Sequence, residues 1–256
     1  MSKLTRSVWA EVRLDNIAYN VRRFREFIGP DCELMAVVKA NGYGHGALET
    51  AYTMIANGTN WLAVALPEEA VRLRRGGITA PLLVLGAVSA DELDVCVAQD
   101  LVVTVFEPHM ARLLSQAAVA QQKPAKVHIK VDTGMGRLGL LPKDFVSLVE
   151  LVQSLPGLEI QGVFTHFARA EDPDLEYTRW QWERFQSVRQ DLQKRNIFIP
   201  FVHAANTAAT LFFPESRFDL VRVGLGIYGL YPDERRPLPV KPALTLKTKV
   251  AFVKRV

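Results

Sequence analysis

Apolar residues along this chain fall into short unbroken runs, and between the runs they recur at helical spacing. The runs occupy Leu34 to Lys39, Trp61 to Leu66, Pro81 to Gly86, Leu101 to Phe106, Lys126 to Asp132, Glu159 to Phe164, Phe198 to His203 and Asp219 to Val223. A strand reads as continuously apolar when both of its faces are covered. The intervening segments carry the 3.6-residue period, as in Phe145, Leu148, Val149 and Val152, or in Leu175 to Arg195 with Trp180, Trp182, Phe185 and Val188. Eight strands alternating with helices, with no succession of hairpins, predict an α/β chain folded as a parallel (β/α)8 barrel of the TIM type rather than an open doubly wound sheet.

The two ends depart from the repeat. A strand-like Val8 to Val12 comes first, followed by a predicted helix over Leu14 to Ile28 whose apolar stripe is Leu14, Ile17, Val21, Phe24 and Ile28, with Asp15 near its positive end. After Tyr231-Pro232-Asp233 a proline-broken, charged linker runs from Glu234 to Pro242, and Ala243 to Val256 then alternates like a half-buried strand. That strand either pairs with Val8 to Val12 or opens a second domain. The second option is favoured, because a lone two-stranded ladder is marginal. The expected division is therefore 1–233 for the barrel, and 234–256 for a linker and the first strand of a β-rich C-terminal domain whose remainder is absent.

Length and composition agree with one large core, since the 256 residues are 49% hydrophobic. The formal charge of +4 is scattered, with only the Arg72 to Arg75 cluster standing out, so nucleic acid is not an expected partner. Cys32 and Cys96 match no zinc spacing and read as two free thiols in a reducing compartment. The start, Met1 to Arg6, shows no signal core, and no apolar stretch is long enough to span a membrane. A soluble, cytoplasmic protein without metal is expected.

The chemistry gathers at the carboxyl ends of the predicted strands. Lys39 stands at the end of an apolar run and opens the glycine-rich Ala40-Asn41-Gly42-Tyr43-Gly44-His45-Gly46. A lysine there must find a counter-charge, shift its pKa or form a covalent adduct, and an imine with pyridoxal phosphate removes the ammonium. A lysine whose stem packs while its head reaches solvent is the plainer alternative. The seventh strand runs into His203-Ala204-Ala205-Asn206-Thr207, where Asn206 or Thr207 can cap a helix suited to an anion, and the eighth into Gly224-Leu225-Gly226, where backbone amides can approach a ligand. In TIM barrels these two loops often hold phosphate. Lys130, Arg137, His166 and Arg222 fall at the same end as Lys39, giving a cationic pocket for an anionic cofactor and a carboxylate substrate. Taken singly, a satisfied core histidine is the commoner fate of a residue like His166 and an internal ion pair that of one like Arg222, but their gathering with the other cations favours the pocket.

Ala36 to Gly46, His128 to Gly139, Phe164 to Ala168, His203 to Ala209 and Asp219 to Leu230 together resemble, in order and spacing, the motifs of bacterial alanine racemases, the fold-type III pyridoxal phosphate enzymes. The likeness runs through essentially the whole chain; basic amino acid decarboxylases and small pyridoxal phosphate homeostasis proteins share the barrel type but carry other signatures here. The resemblance implies that Lys39 binds the cofactor and moves a proton on one face of Cα, and that Arg222 faces the pyridine nitrogen, held by His166. It implies that Arg137 contacts the phenolic oxygen or the substrate carboxylate, and that Lys130 matches a lysine carbamylated in many members. Tyr43, Asn206, Thr207, Gly224 and Leu225 match phosphate contacts, with threonine where serine is usual. The implied activity is interconversion of L- and D-alanine, supplying D-alanine for peptidoglycan, by a head-to-tail homodimer.

One family element is missing. The second base is a tyrosine in the C-terminal domain, reaching the partner subunit's barrel, and no residue here matches it, so this chain alone is expected to lack it. Two rivals remain. A cofactor carrier without turnover needs no second base, and a decarboxylase is disfavoured because it gains from a protonated pyridine, which Arg222 discourages. Alanine and serine are not separated by the sequence.

Overall fold

The computed structural model describes residues 7–255; Met1 to Arg6, where no signal core is read, and Val256 lie outside the described residues. β1 (Val8–Val12) leads into α1 (Leu14–Ile28). The repeat then follows as β2 (Glu33–Val37), α2 (Ala47–Ala56), β3 (Trp61–Val64), α3 (Pro67–Arg75), β4 (Leu82–Val84), α4 (Leu93–Ala98), β5 (Val102–Val105), α5 (Pro108–Ala120), β6 (Ala125–Lys130), α6 (Pro142–Ser154), β7 (Leu158–Phe164), α7 (Glu176–Lys194), β8 (Phe201–His203), α8 (Thr207–Phe212) and β9 (Leu220–Val223).

Eight of these strands form one parallel sheet in the order β8-β7-β6-β5-β4-β3-β2-β9. The seam between its ends is closed by Asp219 N donating to Val202 O at 3.2 Å and Arg222 N to Ala205 O at 3.0 Å. The Asp219 carboxylate completes the join by accepting from Val202 N at 2.8 Å. This is the (β/α)8 barrel expected from the alternation. Its strands read as unbroken apolar runs for a visible reason: Met35 and Val37 of β2 point inward with Trp61, Ala63, Leu83 and Leu220, while Leu34 and Ala36 point outward onto the helices. Each of the larger of these side chains, such as Leu34, Met35 and Leu83, contributes about 1.5–3 kcal/mol by its burial. α1 has the predicted bounds, and it buries Ile17, Val21, Phe24 and Ile28 while Leu14 stays at the surface. The seventh strand starts later than predicted, at Phe201, and leaves Phe198 84% exposed.

The tail pairs with the start of the described chain. β10 (Leu244–Thr248) runs antiparallel to β1, Val8 opposite Thr248 and Val12 opposite Leu244, a pairing the sequence reading names. The ladder is an isolated two-stranded sheet whose Leu246 is 71% exposed. The segment read as a linker is also tied down. Buried Asn20 of α1 donates to Ile227 O and Lys241 O at 2.9 and 2.8 Å and accepts from Lys241 N at 2.8 Å, while Tyr231 Oη bridges Leu238 O and Val240 N. Gly229, at φ 85°, lies where a Cβ would come within 2.0 Å of Lys241 O. The Asn20 contacts act over more than 200 residues of separation, which the local composition of a charged, proline-broken stretch does not reveal.

Candidate active site

A cavity of about 490 Å³ opens at the carboxyl ends of the strands, and Lys39, Tyr43, Lys130, Arg137, His166, Asn206, Thr207, Arg222, Gly224 and Leu225 all line it. The ten positions singled out in the sequence thus share one wall. Sequence reasoning missed other lining residues, among them Leu85, Phe164 and Glu171.

Lys39 is half-buried and follows β2 by two residues. Ala40, Asn41, Gly42 and Tyr43 then take φ of 50°, 55°, 63° and 52°, a run of left-handed residues of which only one is glycine. Left-handed backbone costs a residue with a Cβ about 1–2 kcal/mol, so the surroundings must over-determine the turn. Gly42 N donates to Val38 O at 2.9 Å, Gly46 N to Asn41 O at 3.0 Å, and Ala47 N to the Asn41 side chain at 2.9 Å. Ala40 N reaches Oε1 of Glu69 in α3 at 2.6 Å, and the other oxygen of Glu69 accepts from Ala65 N and Leu66 N. The turn carries Tyr43 round to face β9: a Cβ on Gly224 would come within 2.9 Å of Tyr43 Oη. Asn206 caps α8, accepting from Ala209 N at 3.0 Å, and the Thr207 hydroxyl accepts from Gly224 N at 3.1 Å, so the two loops after β8 and β9 are joined.

Arg222 is buried on β9 and, among the described residues, pairs with no carboxylate, so the internal ion pair is not formed. Its Nη2 donates to Thr165 O at 2.8 Å, Ala204 O at 2.9 Å and His166 Nδ1 at 3.2 Å, and its Nη1 to His203 Nδ1 at 2.8 Å. Nε is left as a donor without a partner within the described chain. Burial lowers the guanidinium to about 9, which leaves it charged at neutral pH. His166 belongs to the pocket but not to its positive charge. Burial first, then Arg222, Lys130 and Arg137, push it well below the usual imidazole range, so it is neutral and accepts from Arg222. That corrects the count of cations read from the sequence.

Lys130 is 3% exposed, its Nζ lies 5.1 Å from the Phe164 ring centre, and it makes no hydrogen bond or ion pair among the described residues. Burial, with Arg222 and Arg137 nearby, lowers its amine to about 7 against the opposing pull of Asp132. Arg137 is exposed at the rim, in the loop that Asp132 folds by accepting from Gly134 N and Gly136 N. The wall thus holds the basic side chains of Lys39, Arg137 and Arg222 and the near-neutral amine of Lys130, with Glu171 the one acid among its lining residues. Such a surplus suits an anion carrying more than one charge.

The chain matches a known family over residues 12–232, described as alanine racemase, N-terminal domain. It is 43% identical over 253 residues to an alanine racemase of Desulforamulus reducens, covering 97% of this chain and 68% of that protein. It is 44% identical over 260 residues to one of Clostridium perfringens, covering 100% and 67%. Among solved structures, an alanine racemase of Clostridium difficile 630 in complex with cycloserine superposes with a TM-score of 0.96 at 32% identity, covering 99% of this chain and 71% of that one. An alanine racemase of Bacillus anthracis with bound L-Ala-P gives 0.92 at 40% identity, covering 100% and 67%. The chain spans about two thirds of the length of these relatives.

Proposed function

The chain belongs to the alanine racemase family, a family of enzymes, and on that premise we propose that it interconverts L- and D-alanine with pyridoxal 5'-phosphate bound at Lys39. The observation that carries the reading is the shared cavity: a half-buried amine, an unpaired buried guanidinium and a glycine-lined loop pair open onto one space. The cofactor fits by the chemistry of the donors. Tyr43 Oη, Asn206, Thr207 and the backbone of Gly224 and Leu225 form the phosphate end, and the closeness of Gly224 to Tyr43 is a cradle that a Cβ would fill. Arg222 stands at the ring end with Nε–H free to meet a pyridine nitrogen.

When bound, the cofactor supplies an electron sink for charge developing at Cα. Lys39 would hold the cofactor covalently through its amine, and once the substrate's amine had displaced it, the freed Lys39 amine would move the proton at Cα on one face. Arg222 offers only N–H groups, so the nitrogen it meets stays unprotonated and the sink is kept weak, which discourages side reactions. His166 accepts from Nη2 and orients it. Arg137, at the rim, takes the substrate carboxylate or the phenolic oxygen. The near-neutral amine of Lys130 is nucleophilic enough to take up carbon dioxide, which converts it into an anion beside Arg137. We read the group that acts on the opposite face of Cα as supplied from outside this cavity wall, in a homodimer, with 1–233 as the barrel unit and 234–256 as the connection to a C-terminal β-rich part. D-Alanine made in the cytoplasm for peptidoglycan is the metabolic use this implies. No described helix is long and apolar enough to cross a membrane.

Borohydride reduction in the presence of pyridoxal phosphate tests the assignment. The expected result is a stable pyridoxyl label on the peptide carrying Lys39 and none in Lys39→Ala; a label on Lys130 or another lysine overturns it.

A further inference from the structure

His128 and His203 form a fully buried pair that the proposed chemistry leaves unused. Arg222 Nη1 lies 2.8 Å from His203 Nδ1, and His203 Nε2 lies 2.8 Å from His128 Nδ1. Guanidinium nitrogens only donate, so Nδ1 of His203 is the unprotonated nitrogen. Its proton then sits on Nε2 and points at His128 Nδ1. The proton of His128 is left on Nε2, which is buried without a partner. Burial and the nearby guanidinium lower both rings far below the usual range, so both stay neutral.

The fold makes room for this pair by separate means. The register of β6 against β7 shifts between Val127 and His128. Across it, a Cβ on Gly162 would fall 2.7–2.8 Å from three atoms of the His128 ring. Trp61 packs 5.4 Å from His128, and Phe164 stacks on His203 at 4.7 Å with the planes 5° apart. An apolar side chain at position 128 would fill the same space without burying an unpartnered N–H, so packing alone does not account for a histidine there.

We infer that His128 is a positioning residue. By accepting from His203 Nε2 it holds the His203 ring in the orientation that turns its Nδ1 lone pair on Arg222, and so fixes the plane of the guanidinium and the direction of its free Nε–H. The inference rests on the reading that Arg222 meets the cofactor's ring nitrogen.

Asparagine carries its amide near the position of a histidine Nδ1, whereas glutamine reaches the position of Nε2. His128→Asn therefore keeps an acceptor for His203, and His128→Gln does not. Nitrogen and proton NMR of the histidine-labelled protein, recorded before cofactor is added, is expected to show His203 with a pyridine-like Nδ1 and a pyrrole-like Nε2 throughout, with a downfield, hydrogen-bonded Nε2 proton in the parent and in His128→Asn that moves upfield in His128→Gln. An unshifted Nε2 proton in His128→Gln overturns the inference. Titration with pyridoxal phosphate supplies the second arm: His128→Gln should bind roughly tenfold more weakly than His128→Asn, the loss expected for one unmade buried hydrogen bond. Equal binding by those two variants, with Arg222→Ala weakened, overturns the role of His128 alone. Parent-like binding by Arg222→Ala as well shows instead that Arg222 does not meet the ring, and the inference falls with that reading.

Discussion

The backbone amide of Ala40 donates to Oε1 of Glu69 at 2.6 Å, fastening the residue after Lys39 to the first turn of α3. The position of the Lys39 amine therefore depends on a carboxylate from the next barrel unit, because the left-handed turn that follows has no regular ladder of its own. Glu69→Ala removes the acceptor for three amides, Ala40, Ala65 and Leu66. Charge-assisted bonds of this kind are worth about 1.5–3 kcal/mol each when buried and less where water can replace them. The expected outcome is a loss on the order of 1–3 kcal/mol in urea denaturation, with faster hydrogen exchange at the Ala40 amide. Unchanged exchange at that amide would show that the turn is held without Glu69.

Gly224 and Tyr43 are coupled by a missing Cβ. The 2.9 Å that a Cβ at 224 would leave to Tyr43 Oη is shorter than side chains accept, so Gly224→Ala should displace the ring and weaken pyridoxal phosphate binding. In a Tyr43→Phe background the same change meets no hydroxyl and should cost less. Residues in contact commonly show interaction energies of about 0.5–3 kcal/mol in such cycles. Strictly additive effects on the dissociation constant would mean that the two positions do not share the phosphate end.

Lys130 predicts a direction with pH. Its amine titrates at about 7 in the folded chain, against 10.5 for an unperturbed lysine. Between those values the unfolded chain holds the proton and the folded chain does not, so this group raises stability as pH climbs from about 7 towards 10.5. Below about 7 both states are charged, and the folded one bears the full cost of a buried ammonium. Lys130→Met removes that cost. In carbon-dioxide-free buffer the variant should exceed the parent by on the order of a few kcal/mol near pH 6, and the gap should close steadily through pH 9. A gap that does not change with pH would place the amine's titration outside this window.

The alternation of apolar runs with helical periods was sufficient to determine the barrel, because a strand covered on both faces and a helix covered on one leave different local signatures. The positions of the candidate site were legible for a related reason: Lys39, Lys130 and Arg222 are basic residues written into apolar context. Local pattern does not encode partners brought together from distant strands. The left-handed turn after Lys39 depends on Glu69, the pairing of β10 with β1 joins segments from opposite ends of the described chain, and His166 is neutral because the fold buries it and sets Arg222 and Lys130 beside it. The line from Arg222 through His203 to His128 crosses β9, β8 and β6, and needs a register shift in β6 and a glycine at 162. Desolvation and hydrogen-bond direction are properties of that enclosure, so only the tertiary structure decided which nitrogen carries a proton and which side chain carries a charge.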